Sequence, residues 1–129
     1  MTETEARGAF DVTVTPASGA DAPTARMTLA KTFHGPLEAT GAGEMLAVQT
    51  DTPGSAGYVA MERVTGTLDG RDGSFVLQHS GTMDRGAPTL SVTVVPDSGT
   101  GQLSGITGTM AIDIRDGKHF YTFRYRLPK

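Results

Sequence analysis

The stretch Thr107–Leu127, TGTMAIDIRDGKHFYTFRYRL, decides the fold. Apolar and polar residues alternate on both sides of Asp116-Gly117, a dipeptide suited to the positive φ angles of a type I′ hairpin turn. A two-residue loop there sets Ile114 opposite His119, Ile112 opposite Tyr121, Met110 opposite Phe123, Gly108 opposite Tyr125 and Ile106 opposite Leu127. Strand side chains alternate, so these residues share one face. The other face carries Arg115, Asp113, Thr109, Thr107, Lys118, Thr122, Arg124 and Arg126, with Phe120 as its main apolar exception. The hairpin therefore sends His119 and Tyr121 inward.

The same alternation extends outward from this hairpin, and no apolar spacing of three and four is sustained long enough for a helix. Strands are predicted at 6–15, 24–33, 37–48, 57–68, 74–83, 89–95, 103–115 and 118–127. The breaks between them are TPASGADAP, HGP, QTDTPGSA, DGRDG, DRGAP, PDSGTGQ and DG. Parity puts Tyr58, Ala60, Glu62, Val64, Gly66 and Leu68 on one face of YVAMERVTGTL. In SFVLQHSGTM it puts Phe75, Leu77, His79, Gly81 and Met83 together. The uncharged segment TLSVTVVP belongs inside the sheet rather than at an open edge. About eight successive strands predict an all-β meander. Closure into a single antiparallel barrel removes its edges and leaves an interior that is either filled or wide enough for one small ligand. A two-sheet sandwich is the alternative.

With 129 residues the chain suits one domain, 1–129, with an ordered core over about 6–127. Its 17 Gly and 7 Pro stay below the roughly 25–30 % that marks low-complexity chains. Eleven Lys and Arg against 14 Asp and Glu give a net charge of −3, which disfavours a nucleic-acid partner, since phosphate-tracking surfaces are basic. Without cysteine there is no disulfide, thiolate metal site or cysteine nucleophile. The N-terminus MTETEARGAF lacks a basic start followed by an apolar run, and no apolar stretch approaches 18 residues. The expectation is a soluble, cytoplasmic chain without a membrane partner.

No local catalytic signature is present. VVPDSGTGQLSGITG fails as a dinucleotide fingerprint because Ser104 stands where a third glycine is needed and no helix follows. What parity offers instead is an inward set of Glu62, His79, His119 and Tyr121, with Tyr58 and Tyr125 nearby. Grouped titratable residues in an apolar interior are costly, so they are either hydrogen-bonded core groups or the lining of a pocket. The six are the candidate ligand-binding residues, and Glu62, His79 and Tyr121 the candidate catalytic ones; no metal site and no cofactor are expected. His34 reads as a turn residue. Lys31 shares the alternation of Met27, Leu29 and Phe33 and reads as a long stem ending in solvent.

The segments KTFHGPLEATGAGEML, YVAMERVTGTLDGRDGSFVLQHSGTM, VVPDSGTGQLSGITGTM and GKHFYTFRY resemble a bacterial family, domain of unknown function 3224. The resemblance runs from about Phe10 to Leu127 and implies the allene oxide cyclase-like β-barrel. It implies no reaction, and fold alone does not transfer one. Three readings follow: a barrel that binds an apolar or partly polar metabolite; a cyclase or isomerase needing no cofactor; and a structural or homo-oligomeric module with a filled core. In the second, Glu62 or His79 is the base and Tyr121 the hydrogen-bond donor. In the third, the outward Val59, Met61, Val76 and Phe120 cover a second copy or stand as scattered surface groups.

Overall fold

The computed structural model describes residues 2–17 and 23–128, so the predicted break at 15–23 lies partly outside the described residues. Nine strands follow in order: β1 Thr4–Pro16, β2 Ala25–His34, β3 Leu37–Gln49, β4 Ala56–Leu68, β5 Arg71–Asp84, β6 Ala87–Val94, β7 Thr100–Gly101, β8 Thr107–Arg115 and β9 Lys118–Arg126. They form one antiparallel sheet in the order β4-β3-β2-β1-β9-β8-β6-β5-β7, and β4 also pairs with β5, closing eight strands into a barrel with β7 outside the ring. The β8–β9 hairpin has the register its sequence dictates, from Arg115 opposite Lys118 to Thr107 opposite Arg126. Asp116 and Gly117 both have positive φ, at 53° and 76°.

The two ends of the barrel differ. At one, the side chains of Leu37, Leu68, Phe75, Leu103, Ile106 and Phe123 are fully buried, and the Phe75 and Phe123 rings stack at 5.5 Å. The other end is a mouth. There Val14, Met83, Leu90 and Ile114 hold inward parity yet are exposed, because the strands run past the last packed layer.

Three features depart from the sequence reading. The predicted strand at 103–115 begins only at Thr107, because Gly101 and Gly105 take positive φ and fold residues 100–106 into successive turns. Those turns press Leu103 and Ile106 into the closed end as a plug. The TLSVTVVP segment does lie between two strands, but its ladder to β8 is the single pair Thr93–Thr109, so most of β6 is held from one side only. Finally, Lys31 is buried, 8 % exposed, and does not end in solvent.

Candidate functional site

The site grows from the inward positions of β3, which diminish from Leu37 through Ala39 to Gly41 and Gly43. Gly41 pairs with Lys31 of β2 on one side, and Gly43 with Glu62 of β4 on the other. A Cβ on Gly41 would collide with Glu62 Oε2 and come within 3.2 Å of the Phe33 ring; one on Gly43 would collide with the Met61 carbonyl and Glu62 Cα. Two absent side chains thus let residues on β2 and β4 meet across the strand between them.

Lys31 Nζ donates to Glu62 Oε1 at 3.1 Å. His79 approaches from β5, its Nε2 2.9 Å from the same oxygen. Glu62 is completely inaccessible and His79 nearly so. The Lys31 ammonium also lies 4.9 Å from the Phe10 ring centroid and 5.9 Å from that of Phe33, where aromatic faces stabilise a cation. Burial by itself pushes the Glu62 carboxyl up, but the His79 hydrogen bond and the Lys31 charge outweigh it and hold the group below the usual carboxylate range. Glu62 Oε2 has no hydrogen-bond partner among the described residues. A buried acceptor left unpaired costs on the order of 1–3 kcal/mol, so this oxygen is a spare polar function held in the interior.

The other sequence candidates lie apart from this cluster. The Tyr121 hydroxyl accepts from the Leu37 amide at 3.1 Å and donates to the His34 carbonyl at 2.8 Å, clamping the β2–β3 turn. Tyr125 donates to Asp69 in the β4–β5 turn, and burial together with that bond pushes its phenol up to about 12. Both hydroxyls therefore serve the closed end. His119 is half-buried with its ring 5.2 Å from that of Phe10, whose ring centroid in turn lies 4.9 Å from the Lys31 ammonium. His34 ends β2 and pairs with the exposed Asp11 at 3.0 Å.

Tyr58 belongs to the mouth. It is half-buried, burial and the negative charge of Glu62 both push its phenol up, and its ring lies over Gly81. Tyr58 and Gly81 help line a depression of about 420 Å³ together with Met45, Ala47, Met83 and Leu90. His79 is two residues from Gly81 on the same inward face of β5, about 7 Å deeper at the usual strand rise. A second depression, of about 460 Å³, is lined by the outward Leu46, Val59 and Met61 together with Ala60 and His79, beside the Arg26–Glu44 ion pair, whereas none of Lys31, Glu62 and His79 lines the first. Among the described residues no three His, Cys, Asp or Glu side chains group as a metal site.

The residue that the sequence reading leaves out of the site is Lys31, which it takes to end in solvent. Its alternation with Leu29 and Phe33 pointed inward; what the strand by itself could not show was a carboxylate two strands away with only glycines between.

These observations define a closed eight-stranded barrel, packed at one end and open at the other, with one ion cluster buried between. The chain belongs to the family described as protein of unknown function (DUF3224), whose family model matches residues 6–125. It is similar to the crystal structure of a DUF3224 protein of unknown function from Shewanella oneidensis MR-1, with 49 % identity over 99 % of each chain and a TM-score of 0.94. No curated protein matches the chain.

Proposed function

We propose that this barrel binds a small molecule at its mouth, with the Lys31–Glu62–His79 cluster forming the polar floor. One observation carries the reading: a buried ion cluster with a spare carboxylate oxygen in a barrel otherwise filled with hydrophobic side chains, with His79 one inward position along β5 from Gly81, and Glu62 two along β4 from Tyr58, both of which line an apolar depression. Replacing a buried ion pair with well-packed apolar residues is often neutral or stabilising, so stability alone gives little reason to keep three charged or polar groups here. A volume of about 420 Å³ falls within the range of small-molecule sites.

The test is a thermal-shift screen of apolar and partly polar metabolites. The expected result is a compound that raises Tm in the wild type, loses its effect in Leu90→Lys and Met83→Lys at the mouth, and keeps it in Met61→Glu on the outer face. A library without such a compound, or a shift indifferent to the mouth variants, contradicts the proposal.

A second reading has its own support. The 2.9 Å contact between His79 and Glu62 is the geometry of a general-base pair, which suits a proton-transferring isomerase or cyclase. Recovery of the bound compound separates the two: an unaltered molecule supports binding, and an isomer whose formation is lost in His79→Ala supports catalysis.

A further inference from the structure

The protein has three tyrosines, and their hydroxyls are used differently. Tyr121 and Tyr125 are each bound into a turn at the closed end. The Tyr58 hydroxyl has no hydrogen-bond partner among the described residues, although its ring is half-buried in the wall of the mouth. Gly81 provides the seat: a Cβ there would come within 2.5 Å of Tyr58 Cε1 and push the ring away. A phenol whose ring is seated in the wall of the mouth and whose hydroxyl has no partner among the described residues is a donor available at the edge of an apolar depression.

The charge around that donor narrows what it can receive. Glu62 lies two inward positions further along the same face of β4, and its negative charge is felt at Tyr58, where with burial it keeps the phenol protonated above its ordinary range. The one buried lysine or arginine among the described residues, Lys31, is already engaged by Glu62, so no unpaired ammonium or guanidinium is buried beside the mouth to receive an anion. The mouth itself, lined by Met45, Ala47, Met83 and Leu90, suits an aliphatic body.

We propose that the ligand is an uncharged aliphatic molecule with one carbonyl oxygen, a ketone, ester or lactone, and that Tyr58 Oη donates to that oxygen. The inference rests on the small-molecule reading above and names the chemical class for the same site.

Three probes of equal chain length test it: 2-decanone, decane and decanoate, each measured at neutral pH by displacement of an apolar fluorophore from the mouth, in the wild type and in Tyr58→Phe. The expected result is that 2-decanone binds the wild type more tightly than either other probe. It should lose about three- to ten-fold in Tyr58→Phe, the range of one neutral hydrogen bond, while decane binds both proteins equally. If the alkane binds as tightly as the ketone, or Tyr58→Phe leaves the ketone unchanged, the Tyr58 assignment falls and the binding barrel stands. Tightest binding by decanoate overturns the uncharged class. If none of the three displaces the fluorophore and the metabolite screen is also empty, the small-molecule reading itself falls. Gly81→Ala gives an independent check, because moving the ring should weaken the ketone as Tyr58→Phe does; unchanged ketone affinity contradicts the proposal.

Discussion

At the scale of single residues, the chemistry turns on Glu62 Oε1, which receives both Lys31 and His79. Removing one partner of a buried pair leaves an uncompensated charge and costs about 3–5 kcal/mol. Lys31→Met should therefore destabilise the protein by that order in denaturant melts, and Lys31→Met/Glu62→Leu should recover much of the loss. Additive costs would show that the two do not interact. The pH dependence follows from the direction of the Glu62 shift. Its folded carboxyl is held below the ordinary 4.5, so the stabilisation is present above that value and is lost as pH falls through the lowered one. Unfolding free energies measured from neutral to acid pH should fall more steeply in the wild type than in Glu62→Gln. Parallel curves would contradict the shift.

At the scale of strands, β3 makes the cluster possible. Gly41→Ala sets a methyl group against Glu62 Oε2 and the Phe33 ring, an overpacking change expected to cost about 1–3 kcal/mol, with further loss if the carboxylate is driven from Lys31. A denaturant melt indistinguishable from wild type would show that the carboxylate lies elsewhere. The seam between β6 and β8 makes a second demand. With Thr93–Thr109 as its single pair, the β6 amides not bonded to β5 should exchange with solvent much faster than the amides shared by β3 and β4. Uniform protection across the two regions would mean that the seam is paired.

The strands also explain what the sequence could and could not disclose. Alternation placed Glu62 and His79 inward, and Asp116-Gly117 set the β8–β9 register, because both are local properties of the chain. The burial of Lys31 was hidden because it depends on Gly41 and Gly43 aligning between two other strands, which only the sheet register determines. Parity likewise counted Tyr121 and Tyr125 with the site. Facing inward says nothing about depth, and these two sit at the end where their hydroxyls meet turns. The 103–106 segment reads as the start of a strand in the sequence, whereas positive φ at Gly101 and Gly105 bends it into a plug.

At the scale of the molecule, the barrel divides its labour between its ends. Aromatic and aliphatic packing, two tyrosine clamps and the Leu103–Ile106 plug secure the closed end, leaving the mouth free of that task. The central claim is that the space bounded by Tyr58, Met45, Gly81 and Leu90 receives a ligand above a buried Lys31–Glu62–His79 cluster. A high-resolution crystal structure of the purified protein, alone and after soaking with 2-decanone, tests this most directly. The account predicts ordered ligand density in that space, with Lys31 and His79 both on Glu62 Oε1. A mouth closed by its own side chains, or Lys31 extended into solvent, would contradict it.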